Sequence, residues 1–141
     1  MKKLLSITTL LFLSISFFAV SGIAADKKTK NPSVKSAKIE VYYFHFTRRC
    51  ITCNAIENET KTSIEALYPS QFKMEQITFK SINLDTKENE QLAKKCQVEG
   101  QALLIISGSK RIDLTDKGFM YAKSSQKKWR AELKKTIDPL L

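Results

Sequence analysis

Residues 38–46, KIEVYYFHF, are dense in β-branched and aromatic side chains, and the pattern predicts a buried strand. From Cys50 the period changes. Cys53, Ile56, Thr60, Ile64 and Leu67 recur at steps of three and four, the stripe of an amphipathic helix. Pro69 is expected to end it, because Tyr68, the residue before a proline, is biased away from helical backbone. EQITFKSINLD, residues 75–85, returns to a strand. Asp85 with Glu88 has the spacing of a capping box and predicts a helix over TKENEQLAKKC, residues 86–96. Gly100 then breaks the chain before ALLIIS, residues 102–107, a short and wholly apolar strand. SGSK is a hairpin turn into RIDL, residues 111–114. A last helix from about Ser124 carries Trp129, Leu133, Ile137 and Leu140 on one stripe, and Asp113 and Asp116 are taken as turn residues.

The predicted order is β-α-β-α-β-β-α. A helical crossover between the first two strands makes them parallel and right-handed, while the last two form a hairpin. The expected fold is therefore α/β, a four-stranded mixed sheet with flanking helices.

The N-terminus has a different character. MKK supplies positive charge, Leu4–Val20 is almost free of charge, and SGIAAD places Gly22 and Ala24 at −3 and −1 of a cleavage site. That pattern predicts a signal peptide over residues 1–24, cut after Ala24 or Ala25; a retained membrane anchor is the alternative. No cysteine stands near the cut, so a lipoprotein is not indicated. Residues 25–37, lysine-rich with a proline and several Ser/Thr, are expected to be a flexible linker, and 38–141 the folded domain. The expected location is extracytoplasmic, in the periplasm.

Charge narrows the partners. The formal net charge is +10, but the lysines are spread over every segment with acids beside them, and no aromatic-interleaved patch is present. This is a solvated basic surface, able to adhere to anionic membranes, and not a nucleic-acid footprint. Four glycines form no phosphate-binding loop, so no flavin or nucleotide cofactor is expected. A monomer is expected.

The candidate chemistry lies in FTRRCITCNAIENE, residues 46–59. A CxxC at the start of a helix puts Cys50 against free backbone N–H groups, which favour its thiolate. Cys53 follows one turn behind, within reach for a disulfide. Arg48 and Arg49 add positive charge beside Cys50. Cys50 is thus the expected nucleophile, Cys53 the resolving thiol, and their disulfide the only redox group expected. Two other readings stay open. A structural staple is one, although so short a loop restrains the unfolded chain little. The other is a metal or metalloid site, with Cys96 as a third ligand to Cys50 and Cys53. His45 and Cys96 are the only further His or Cys, so no second CxxC completes a zinc site. Cys96 lies i, i+4 from Leu92 on an apolar stripe, which favours a buried packing thiol. His45, inside a strand, is expected to be packed and hydrogen-bonded.

The element order and the placement of the CxxC resemble the thioredoxin fold in its short, glutaredoxin-like form. INLD followed by LAKKCQVEG is similar to the family's stretch from central strand to the loop facing the active site. The signal peptide, FTRRCITCNAIE and the lysine-rich last helix more narrowly resemble small exported proteins of arsenic-resistance gene clusters, labelled as nitrophenyl-compound nitroreductase subunits. The resemblance implies thiol-disulfide exchange with a protein partner and a membrane or periplasmic electron donor. Its alternatives are capture of arsenite or a soft metal ion, and an accessory role beside a flavin-bearing partner. Three departures matter. Ala102 stands where the family carries a cis-proline, Phe44 where it carries a buried acid, and Ile51-Thr52 where it carries Gly-Pro. A non-proline cis bond costs about 2.5–4 kcal/mol, so the Gln101–Ala102 bond is expected to be trans.

Export is checked by intact mass of the envelope-fraction protein, which should begin at Ala25 or Asp26. A mature species that keeps residues 1–24 would mean an anchored protein.

Overall fold

The computed structural model describes residues 38–141; the expected signal peptide and linker lie outside the described residues. Four strands form one sheet: β1 (Ile39–His45), β2 (Ile77–Asn83), β3 (Ala102–Ser107) and β4 (Lys110–Asp113). Their order is β2-β1-β3-β4. β1 runs parallel to β2, from Ile39 opposite Ile77 to His45 opposite Asn83. It runs antiparallel to β3, with Phe44 opposite Ala102, and β3 and β4 pair antiparallel. The expected four-stranded mixed sheet is present. Gly108, at φ +60, opens the tight β3–β4 turn, a conformation that suits a residue without Cβ.

Alternation along β1 divides the core in two. Val41 and Tyr43 join Leu103 and Ile105 under α1 (Ile51–Leu67), α4 (Thr115–Tyr121) and α5 (Gln126–Ile137), where Ile56, Ile64, Trp129, Leu133 and Ile137 fill the layer. Tyr42 and Phe44 face the other way, onto Ala93, Cys96 and Val98 from and after α3 (Glu90–Lys95). Thr60 fits the buried stripe of α1 because its hydroxyl donates to the Ile56 carbonyl and is not left unmet. Gly118 lets α4 lie close on α1: a Cβ there would stand 3.3 Å from Ile56 Cγ2. No helix among the described residues is long and apolar enough to cross a membrane.

Several local expectations need correcting. Pro69 ends α1 but also begins a second short helix, α2 (Pro69–Lys73). A proline lacks an N–H that the first helical turn does not use, so it starts a helix as readily as it stops one. Asp113 accepts from the Thr115 amide at 2.9 Å at the entry to α4, and Asp116 lies in the first turn of that helix. The capping box does not form. Residues 87–89 make a 3-10 turn and α3 starts at Glu90 without a side-chain cap. Leu140 lies beyond the end of α5, in a closing 3-10 turn, yet packs against the same core.

Trp129 is wholly buried, and its indole N–H has no partner among the described residues. Trp129→Ala should cost about 3–5 kcal/mol in urea unfolding. Trp129→Phe should cost well under half as much, since no hydrogen bond is lost. A Phe variant as unstable as the Ala variant would show that the indole N–H is bonded after all.

Candidate functional site

The site begins where β1 runs out. His45 is buried, its Nδ1 donating to the Phe46 carbonyl at 2.9 Å, and its ring lies 5.8 Å from that of Tyr43. The loop that follows is tied to the end of β2. The Asp85 carboxylate accepts from the Thr47 amide at 2.7 Å, and Asn83 donates to the Thr47 hydroxyl at 3.0 Å. The Leu84 amide adds a bond to the His45 carbonyl at 2.7 Å. Asp85 therefore orders the approach to the CxxC instead of capping α3. These amide and hydroxyl donors hold its carboxyl below the usual carboxylate range, the Thr47 backbone N–H first among them.

Cys50 is the N-cap of α1. Its backbone is extended, and its sulfur accepts from the Cys53 amide at 3.2 Å. A thiolate there would meet the free N–H groups of the helix start, and no acidic residue of the first turn opposes it. Cys50 is exposed, whereas Cys53 is 7% exposed. The two are joined as a disulfide with Cα atoms 5.1 Å apart. One sulfur is therefore open to a partner, and the other sits behind it. Arg48 is exposed beside the pair. Arg49 ion-pairs with Glu57 in α1, which offsets part of its charge. Phe46 and Ile51, 43% and 74% exposed, add apolar surface to the segment that carries Cys50.

The loop into β3 brings the facing residues. Ala102 is buried and opposite Phe44 in the sheet, and the Gln101–Ala102 bond is trans. Phe44 points into the α3-side core, so the polar group near Cys53 comes from its neighbour in β1. The Tyr43 hydroxyl donates to the Cys53 carbonyl at 3.0 Å and accepts from Gln101 Nε2. Gln101 Oε1 faces the Cys53 sulfur at 3.6 Å. Burial raises the Tyr43 phenol above its ordinary pKa, against the pull of the Gln101 amide and the Arg49 charge. Tyr43 and Gln101 were not among the sequence candidates. The signal that could have found Gln101 is its place directly before Ala102, in the loop expected to face the CxxC.

Cys96 is elsewhere. It is buried beside Tyr42 and Phe44 at the end of α3, where Arg111 Nε donates to its carbonyl at 3.0 Å. Burial pushes its thiol pKa up. A groove of about 430 Å³ lined by Tyr42, Cys96, Lys110 and Arg111 opens there, and neither Cys50 nor Cys53 lines it. Among the described residues no group of three or more His, Cys, Asp or Glu is placed to hold a metal ion.

Sheet order and helix placement, with a CxxC at the head of the first helix, define a four-stranded mixed α/β domain with the architecture expected from the thioredoxin resemblance. Among solved structures the chain is similar to oxidised mitochondrial thioredoxin 3 from Saccharomyces cerevisiae. That match has 20% identity and a TM-score of 0.44, over 74% of this chain and 81% of that one. A malarial protein also matches, with 21% identity and a TM-score of 0.40, over 55% of this chain and 82% of that one. No protein-family model and no curated protein matches the chain.

The Asp85 contact gives a pH prediction with a definite sign. A carboxyl whose folded pKa is depressed stabilises above its unfolded pKa, and that contribution is lost as pH falls through the folded value. Asp85→Asn should therefore be less stable than the parent at neutral pH, and the difference should close in acid, below the folded pKa. Urea unfolding at both pH values checks this. A difference that persists in acid would assign the effect to packing.

Proposed function

We propose that this protein is an exported thiol-disulfide oxidoreductase in which Cys50 is the nucleophile and Cys53 the resolving thiol. One observation carries the reading: a disulfide at a helix start whose first sulfur is exposed and whose second is buried behind it. In the reducing direction, the Cys50 thiolate attacks a partner disulfide. A mixed disulfide forms and one partner sulfur leaves as thiolate. Cys53 then loses its proton and attacks the Cys50 sulfur. The intramolecular disulfide forms, and the second partner sulfur leaves with the electron pair. Two electrons have passed from the dithiol to the partner, and the protons end on the released thiols. The reverse sequence oxidises a partner dithiol. The apolar side chains of Phe46 and Ile51 with the Arg48 charge suit a polypeptide partner with acidic and apolar residues near its cysteines.

A membrane or periplasmic thiol donor, and service as an accessory redox subunit beside a flavin-bearing nitroreductase, are the finer forms of this reading. A second reading, a vicinal-dithiol carrier for arsenite or a soft metal ion, is favoured by the trans bond and missing proline at Ala102. The Gln101 side chain lies on that same face, so a ligand would have to displace its amide from Cys53. Cys96, in the α3-side core, has no part in either reading.

The test is a titration of purified protein in defined thiol/disulfide buffers, with mass mapping of alkylated cysteines, repeated with arsenite. A reversible two-electron transition should appear, with Cys50 alkylated fastest in the reduced protein at neutral pH. First reaction at Cys53 or Cys96 would show that the nucleophile is misassigned. Arsenite that binds the reduced pair tightly while exchange with disulfides is slow would favour the carrier. Loss of that affinity by more than about tenfold in Cys96→Ser would bring the third thiol into the site.

A further inference from the structure

The resolving thiol poses a problem that the helix start does not answer. Cys50 has free N–H groups to stabilise its thiolate, but Cys53 lies inside the first turn and is buried, which favours a neutral thiol. Phe44, at the position of the family's acid, faces away. Among the described residues, Gln101 supplies the side-chain polar group within reach of the Cys53 sulfur.

The orientation of that amide follows from its other neighbour. A phenol has one hydrogen, and Tyr43 donates it to the Cys53 carbonyl. Towards Gln101 the hydroxyl can then only accept, so Nε2 must face Tyr43 and Oε1 must face the sulfur. This suits the neutral thiol, whose S–H can donate to Oε1; in the disulfide, whose sulfur has no hydrogen, the Tyr43 hydroxyl alone sets the amide. The same orientation does not suit the thiolate. A carbonyl lone pair would then face a negative sulfur across 3.6 Å in a buried site.

We infer that the Gln101 amide is a two-position switch for the resolving step, with Tyr43 as its positioning residue; this rests on the oxidoreductase reading above. In one position Oε1 accepts from the Cys53 thiol. In the other the amide has turned half a revolution, Nε2–H donates to the Cys53 thiolate, and Oε1 accepts the Tyr43 hydrogen. The Cys53 carbonyl can spare that bond, because it sits in α1 and has a helical amide four residues on to bond it. The thiolate is thus stabilised only while the amide is turned, as Cys53 attacks the mixed disulfide on Cys50. Its proton goes to water or to the released partner thiolate. When the new disulfide has formed, the sulfur carries no charge to hold the N–H, and the Tyr43 hydroxyl draws the amide back to the position observed. The buried thiol stays neutral between turnovers with an amide, not a carboxylate, facing its sulfur.

Reduced protein with Cys96→Ser as background, mixed with excess dithiobis(nitrobenzoate) in a stopped-flow instrument, separates the two steps. Attack by Cys50 releases one coloured thiolate, and resolution by Cys53 releases the second. Gln101→Met keeps the length of the side chain but cannot donate. It should slow the second release by about tenfold to a hundredfold, the range for a lost hydrogen bond to a charged group. The first release should be unchanged, and the pH midpoint of the second should rise. Tyr43→Phe, which keeps the buried ring, should slow the second release alone and by less. An unchanged second release in Gln101→Met, or equal slowing of both phases, would overturn the switch. An unchanged second release in Tyr43→Phe would remove Tyr43 from it. Wild-type protein that releases one equivalent and stops would sink the oxidoreductase reading and this inference with it.

Discussion

Everything in this domain hangs on β1 being paired on both edges and buried on both faces. With β2 on one side and β3 on the other, its backbone groups are committed to ladders and its side chains alternate between two separate cores. A slip of one residue would turn Val41 and Tyr43 out of the larger core and Phe44 into it. The register is therefore narrowly determined, and the site inherits it. Phe44 opposite Ala102 leaves Gln101 just past the end of the ladder, level with His45, from where its side chain reaches back to the Tyr43 hydroxyl. The C-terminal end of β1 also aims the Thr47–Arg49 loop at the start of α1, where Asp85 and Asn83 tie it down from β2.

Given that frame, one helix start places two chemically identical side chains in opposite environments. Cys50 stands outside the first turn, with exposure and free backbone donors that favour charge. Cys53 stands inside it, where burial disfavours charge. A dithiol in two such environments is asymmetric: one sulfur is accessible, the other lies behind it. Tyr43 makes that contrast tolerable in the core. Its ring fills apolar space, and its hydroxyl, satisfied by the Cys53 carbonyl and the Gln101 amide, is not buried unmet.

Periodicity by itself determined the strands, the stripe of α1 and the stripe of α5, because burial of an apolar face imposes the same spacing wherever the partner face comes from. The CxxC at a helix start was legible for a similar reason, since the chemistry there depends on three neighbouring residues and the helix end they form. The short helices α2 and α4 were not legible. They run five and seven residues, too short to show a period, and their start signals, Pro69 and Asp113, are equally good signals for a stop or a turn. Asp85 shows the same limit more sharply. Locally it has the spacing of a helix cap, yet the donor it found is Thr47, 38 residues back in the chain. Gln101 and Tyr43 are farther apart still, separated by 58 residues, and although Gln101 stands directly before Ala102, nothing local ties it to Tyr43. Only the pairing of β1 with β3 puts the amide between the phenol and the sulfur. Hydrogen bonds of that kind belong to the sheet register, which forms when two cores are buried at once, and no single stretch of chain contains it.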